Sequence, residues 1–414
     1  MSAETVFRNP FRPGAGQRPL YLAGRTKEQE QFARMLHQSP ISQNVILTGL
    51  RGVGKTALLE ELKPIAQRAG WLWTGNDLSE SASLTEANIA RRIVVDLSSL
   101  LGPIIVHRQS ELSFGFTGRE QQRERRLRFD DLWAIFDKTP GLNEDKLKAV
   151  LQHVARLIVG TNIKGIVFAY DEAQNLSDHA AAGEFPVSLL LDVFSYLQRS
   201  SPECHFLLVL TGLPTLFPKL NEARTYTERM FRALHLQPLN DVDARAAITK
   251  PIEISQSPLR FTDQTIERVI ELSAGYPYFI QFACKEVFDA WIGKLENNLA
   301  PSVPIDEIVE KLDQDFFAPR WQRTTDRQQD FMRVISTLES SEAEFAIQEI
   351  TKASRAMLKK GFSASHAAQM LQTLAENGLI YRTRRGGYAF AVPLLAQFIR
   401  RQTWNPSNRP APAF

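Results

Sequence analysis

Three regimes of apolar spacing follow one another along the chain. In the first, short apolar runs recur at 44–48, 71–74, 165–170, 205–212 and 233–236, each closed by glycine or polar residues. Runs of this length without polar alternation predict strands buried on both faces, as in a parallel sheet. Between them the spacing changes to three and four. Phe32, Met35 and Leu36, then Ile89, Ile93, Val94, Leu97 and Leu101, then the stretches 147–159 and 187–197, each predict a helix with one apolar face. Strands alternating with helices predict an α/β unit.

From about residue 240 the strand signal stops. Helices are predicted over 241–254, 263–272, 280–291 and 307–317, with a turn at Ala274-Gly275-Tyr276-Pro277. The third regime begins near 325. Helices over 328–338, 346–353 and 363–377 precede two short strands, 378–382 and 387–390, joined by Thr383-Arg384-Arg385-Gly386, and a closing helix over 393–401. The third helix carries Ser363 or Ser365 as its cap, with Ala367, Leu371 and Leu374 inward. Three helices and a basic hairpin predict the winged variant of helix-turn-helix. The organisation expected is an extended Pro- and Gly-rich lead-in over 1–20, an α/β core over 21–239, a small helical domain over 240–300, and a linker with a connecting helix over 301–324. A winged-helix domain over 325–402 and a flexible tail over 403–414 complete it.

The first strand runs directly into chemistry. Asn44-Val45-Ile46-Leu47-Thr48 is followed by Gly49-Leu50-Arg51-Gly52-Val53-Gly54-Lys55-Thr56 and then by a helical start, Ala57-Leu58-Leu59. Gly-x-x-x-x-Gly-Lys-Thr between a strand and a helix is a P-loop. Its glycines let the backbone wrap a phosphate with several N–H groups pointing inward, and the helix N-terminus adds positive potential. Lys55 would reach the β- and γ-phosphates, and the Thr56 hydroxyl would ligate Mg²⁺.

The strand at 165–170 ends in Asp171-Glu172. Two acids at that position suit a nucleoside triphosphatase: the first holds Mg²⁺ through water, the second polarises the attacking water. A second buried strand ends at Thr211, whose hydroxyl either touches the γ-phosphate or starts the turn into Pro214. The helix over 227–232 carries Arg229 and Arg232, read either as phosphate sensors or fingers offered to a neighbouring subunit, or as arginines complementing a helix dipole. Leu22-Ala23-Gly24-Arg25 before the first helix is either a wall of a base pocket or a cap with a surface arginine. Residues 103–130 break the alternation. Phe114-Gly115-Phe116 suggests a small hairpin, and Arg119, Arg123, Arg125, Arg126 and Arg128, mixed with Glu120 and Glu124, are expected on a solvated helix face.

Taken together, these residues resemble the AAA+ ATPases of the origin-recognition and Cdc6-like type, and the related STAND ATPases, from about residue 20 to 402. The P-loop and the Asp171-Glu172 strand end are the specific parts of the likeness. Leu22-Ala23-Gly24-Arg25-Thr26-Lys27-Glu28 is similar to the STAND Gly-Arg motif, with Thr26 where an acid is usual. The resemblance implies Gly24 and Arg25 near the adenine or ribose. Gly275-Tyr276-Pro277 looks like the Gly-x-Pro turn of a helical lid, which implies Pro277 against the adenine. Arg229 falls where the AAA+ finger would lie. Thr211 stands where an Asn or other polar sensor is usual, followed by Gly212-Leu213-Pro214.

Composition adds limits. A net charge of +3 does not by itself announce nucleic acid, so that argument falls to local patches. Arg382, Arg384 and Arg385 on the wing are the candidate contact to duplex DNA, against a wing used only for packing or a protein partner. Cys204 and Cys284, each among apolar residues and without a partner at metal spacing, are expected as buried thiols in a reducing compartment. No stretch reaches the length of a membrane helix and no signal peptide is evident, so a cytoplasmic protein is expected. The functional expectation is Mg²⁺-dependent ATP hydrolysis driving a switch of the lid and winged helix. The alternative is a nucleotide-gated DNA-binding or regulatory protein with little turnover, acting alone, as a homo-oligomer or with a protein partner.

Overall fold

A computed structural model describes residues 8–14, 16–103, 105–111, 121–159, 161–200, 205–257, 259–296, 303–383 and 386–402. Two compact units emerge. The α/β unit comprises Arg25–Gly49 and Lys55–His235; the other comprises the described residues of Met1–Gly24, Leu50–Gly54 and Leu236–Phe414.

The α/β unit opens with α1 (Thr26–Leu36), β1 (Asn44–Thr48), α2 (Lys55–Arg68), β2 (Trp71–Thr74) and α3 (Glu86–Leu101). A hairpin of β3 (Ile105–Glu111) and β4 (Gln121–Arg126) follows, then α4 (Phe129–Lys138), α5 (Asn143–Ile158), β5 (Gly165–Tyr170), α6 (Pro186–Ser200) and β6 (His205–Gly212). The unit closes with α7 (Leu216–Ala223), α8 (Thr227–Met230) and β7 (Phe231–His235). Five strands form a sheet in the order β2-β5-β6-β1-β7, every pair parallel. All six residues of β5 and all five of β1 are buried, as unbroken apolar runs require of strands covered on both faces. On α3 the residues expected to point inward, Ile89, Ile93, Val94, Leu97 and Leu101, are all in the core, and Thr85 caps its start by accepting the Asn88 N–H at 3.1 Å.

Two expectations are corrected here. Arg123, Arg125 and Arg126 do not lie on a helix face: Gln121–Arg126 is a strand, paired antiparallel with β3, His107 opposite Arg125 and Arg108 opposite Glu124, and Arg128 stands at the N-cap of α4. A two-stranded ribbon need not bury a face, so its charged residues leave no period-two apolar signal to read. The helix expected over 227–232 ends at Met230, because Phe231 and Arg232 already pair with Asn44 and Val45 of β1. The hairpin expected at Phe114-Gly115-Phe116, Arg119, Glu120, Cys204, Arg384, Arg385, residues 297–302 of the linker and the tail over 403–414 lie outside the described residues.

In the second unit α9 (Asp241–Ile254), α10 (Asp263–Ser273) and α11 (Pro277–Glu296) come first. Then follow α12 (Ile305–Leu312), a π-helical turn over Asp313–Phe317, and α13 (Ala318–Gln322). The last stretch is α14 (Asp326–Ser336), α15 (Ile347–Met357), α16 (Ala364–Glu376), β8 (Ile380–Arg382), β9 (Tyr388–Phe390) and α17 (Leu395–Arg401). Ser363 caps α16, and Ala367, Leu371 and Leu374 are buried. Phe345 pairs with Tyr388 and adds a bridge to the β8–β9 ribbon. One apolar core runs through the whole unit, with Phe279, Phe316, Phe317 and Phe398 in successive ring contacts. The supposed lead-in contributes to that core: Phe11 is 2% exposed and packs on Phe261 and Phe288. Cys284 is a buried free thiol, and burial pushes its pKa well up. No helix among the described residues is long and apolar enough to cross a membrane.

Candidate functional site

In an open parallel sheet, ligands bind at the carboxyl ends of the strands. The sheet order puts β6 between β1 and β5, so Thr48, Thr211 and Asp171 end three consecutive strands. Register holds the tips level: Leu47 pairs with Thr211, and Thr48 with Gly212.

After β1 the chain turns through Gly49–Gly54 and enters α2 at Lys55. Gly52 and Gly54 hold φ of +76° and +91°, values that only glycine takes without strain, as a backbone wrapped around an anion requires. The Gly49 N–H donates to the Gly212 carbonyl at 3.4 Å, and the Val53 N–H to Leu50 O at 3.4 Å. Lys55 Nζ donates to Gly49 O at 3.0 Å, so the ammonium folds over its own turn. Thr56 Oγ1 donates to Asp171 Oδ2 at 2.5 Å. Asp171, 115 residues further along the chain, is thus brought to the adjacent pair Lys55 and Thr56.

Asp171 is 4% exposed. Burial pushes its carboxyl above the ordinary range; the Thr56 hydroxyl, the Glu172 N–H and the Lys55 charge pull the other way, while the Glu172 charge adds to the rise. Glu172 is exposed and takes the left-handed conformation, φ +51°. A non-glycine residue in that region costs about 1–2 kcal/mol, so surrounding bonds must hold it there. Its N–H donates to Asp171 Oδ1 at 2.8 Å. A hydroxyl oxygen and a carboxylate oxygen side by side form the hard donor set that Mg²⁺ takes. The residues present therefore fit a magnesium nucleotide.

Thr211 and Thr48 are both buried, and neither hydroxyl has a hydrogen-bond partner among the described residues. An unsatisfied buried hydroxyl costs about 1–3 kcal/mol; because Thr211 is paired with Leu47 and Thr48 with Gly212, the two hydroxyls project from opposite faces of the sheet.

Residues 21–210 match the AAA ATPase domain family. That stretch is similar to AAA ATPase domains and makes up just under half of the chain. Residues 314–399 match a second family, described as a domain of unknown function. No curated protein matches the chain. Among solved structures, the Walker-type ATPase paby2304 of Pyrococcus abyssi is similar at 17% identity, TM-score 0.58, over 92% of this chain and 97% of its own. The Aeropyrum pernix ORC2 protein in its ADPNP–ADP complexes is similar at 13% identity, TM-score 0.55, over 94% of this chain and 95% of its own. The fold is that of these ATPases, and the matched residues 21–210 contain the turn and the acid pair just described.

The remaining candidates fall partly on the turn and partly away from it. Arg25, at the N-cap position of α1, is buried at 4% exposure rather than on the surface. Gly24 has φ +65°, and a side chain there would lie 2.8 Å from the Asp243 carboxyl. Pro277 starts α11 with its ring against Gly54, where an added Cβ would sit 3.8 Å from Cγ, and the Tyr278 N–H donates to Gly52 O at 3.0 Å. Val53 is buried; Leu50 and Arg51 are half-buried. Arg229 is exposed on α8 and is not among the residues gathered at Asp171.

Proposed function

We propose that the chain binds ATP with Mg²⁺ at the turn over Gly49–Thr56 and hydrolyses it there, using Asp171 and Glu172. The observation that carries this reading is the Thr56–Asp171 hydrogen bond at 2.5 Å, which joins the phosphate turn to the acidic strand end. The roles follow from the chemistry of each group. The inward N–H groups of the turn and the start of α2 bind phosphate oxygens. Lys55, now on a main-chain carbonyl, exchanges that weak partner for a charged one. Thr56 and Asp171 hold the metal, whose charge screens the phosphates when bound. The exposed Glu172 carboxylate orients a water and accepts its proton as the water oxygen bonds to phosphorus and the bridging oxygen leaves with ADP. Thr211 adds an uncommitted hydroxyl at the end of the neighbouring strand.

We further propose that binding and turnover switch the position of the helical lid and of residues 325–402, which we read as a winged helix. The test is phosphate release by wild type and Glu172→Gln. Lost turnover with retained ATP supports the reading; equal rates remove Glu172 from it. Arg382, exposed on β8, is the described residue through which the ribbon would meet duplex DNA. Fluorescence anisotropy with and without ATP tests this, and absence of salt-sensitive binding at low ionic strength dismisses it.

A further inference from the structure

We propose that Gln174 is a positioning residue that ties the aim of Glu172 to the end of β6 and, through it, to the phosphate turn; this rests on the assignment of Glu172 to the attacking water. Gln174 sits in the short turn over Ala173–Asn175 that follows the acid pair. Its main-chain carbonyl accepts from Lys219 Nζ at 2.7 Å, and its neighbour Asn175 donates through Nδ2 to Leu78 O at 2.8 Å. The backbone of the turn is therefore anchored from two other parts of the α/β unit.

The side-chain amide then bridges. Gln174 Oε1 accepts the Leu213 N–H at 3.1 Å, and Nε2 donates to Glu172 Oε2. This orientation is chemically forced: a backbone N–H can only donate and an ionised carboxylate can only accept, so the amide cannot be turned over. Gly212 makes room for it. A side chain there would bring Cβ to 2.7 Å from Gln174 Oε1 and 3.3 Å from Gln174 N.

The peptide group between Gly212 and Leu213 serves both ends of the path. Its carbonyl accepts from the Gly49 N–H at 3.4 Å, and its N–H donates to Gln174 at 3.1 Å. Three donations run in one sense, from Gly49 to the 212–213 peptide, to the Gln174 amide, to the Glu172 carboxylate. Amides aligned in one direction polarise one another, so a change at the first glycine of the phosphate turn is felt at Glu172. The bond occupies one carboxylate oxygen, leaving the other for water, while the backbone of Glu172 is held by its N–H on Asp171 Oδ1 at 2.8 Å and its carbonyl accepting from the Asn175 N–H at 3.0 Å.

The experiment is a double-mutant cycle on the full chain with steady-state ATP turnover and nucleotide affinity read separately. Gln174→Ala should lower kcat by about tenfold or more, as misplacement of a reacting group does, while ATP and ADP affinities stay within about twofold. Gln174→Met keeps the side-chain volume without the bridge and should match it. In a Glu172→Gln background, Gln174→Ala should change the residual rate by less than about twofold, because the group it positions is gone. If Glu172→Gln is inactive but both Gln174 variants keep wild-type kcat, the tie is overturned and the ATPase reading stands. Additive losses in the cycle, or affinities falling in step with kcat, make Gln174 merely structural and also overturn it. A Glu172→Gln protein with wild-type turnover overturns the assignment of Glu172 and this inference with it.

Discussion

Behind the acid pair lies a buried polar cluster that should be worth measurable stability. Tyr170, the last residue of β5, is fully buried and donates from its hydroxyl to Asp96 Oδ2 at 3.0 Å. Asp96 also accepts from Arg92 Nε at 3.1 Å and Asn76 Nδ2 at 3.3 Å. Burial pushes the Asp96 carboxyl above the ordinary range, with Arg92, Tyr170 and Asn76 opposing. Tyr170 is driven the same way, by burial and then by the Asp96 charge, so it stays a donor. Tyr170→Phe removes one buried hydrogen bond to a charged acceptor, about 1.5–3 kcal/mol. Asp96→Ala orphans the Tyr170 hydroxyl, about 1–3 kcal/mol. Arg92, 32% exposed, can turn to water, and loss of a buried charge returns part of its desolvation cost. Together the two changes should cost about 1–2 kcal/mol less than their sum, because the second partner is no longer left alone. The Asn76 carbonyl accepts the Asp171 N–H at 3.3 Å, so loosening should spread to the acid pair. Native-state hydrogen exchange on peptides spanning 165–171 reads the opening free energy of this strand even though the two units need not unfold together. Single changes each within about 0.5 kcal/mol of wild type, and additive to the same margin, would refute the account.

Gly75, φ +135°, meets Ala169 so closely that an added Cβ would lie 1.8 Å from its carbonyl oxygen. Gly75→Ala should therefore cost more than about 4 kcal/mol or abolish folding. Gly70→Ala, also at positive φ but with nothing nearer than 3.5 Å, should cost only the backbone strain of about 1–2 kcal/mol; thermal melts of the pair separate clash from strain. Asp192 should show a pH dependence. Burial alone would raise its pKa, but hydrogen bonds from Arg224 and Tyr226 outweigh it and hold the carboxyl low. Its contribution is present above the ordinary carboxylate pKa and lost as pH falls through the lower folded value. Because Arg224 is 37% exposed, Arg224→Met should remove only about 1 kcal/mol, and the difference from wild type should vanish in acid urea titrations.

What could be read in advance depended on how a residue departs from its surroundings. β5 announces itself because six apolar residues in a row have no other use in a chain of this composition, and α3 because its apolar residues keep one face. Asp171 and Lys55 were legible for the opposite reason: polar groups in a motif where burial would otherwise be expected. The strand order was not legible, since fully buried parallel strands carry no mark of which neighbour they take; only the structure inserts β6 between β1 and β5. Phe11 was hidden by the prolines and glycines around it, which describe how the backbone runs and not where one ring docks.

Gln174 and Asp96 were hidden for a deeper reason. A glutamine two residues beyond an acid pair, or an aspartate on an amphipathic helix, is ordinary until its partners arrive, and those partners are 39 and 74 residues away. Groups that meet the ligand must violate the local burial pattern and so show themselves in the sequence. Groups that aim them need only one distant hydrogen bond. It follows that Gly212 should be as intolerant as the motif glycines although it sits in no phosphate loop: its missing side chain is the space that Gln174 Oε1 occupies. Gly212→Ala forces that oxygen off the Leu213 N–H, so it should reproduce the turnover defect of Gln174→Ala without touching any group that reaches the nucleotide.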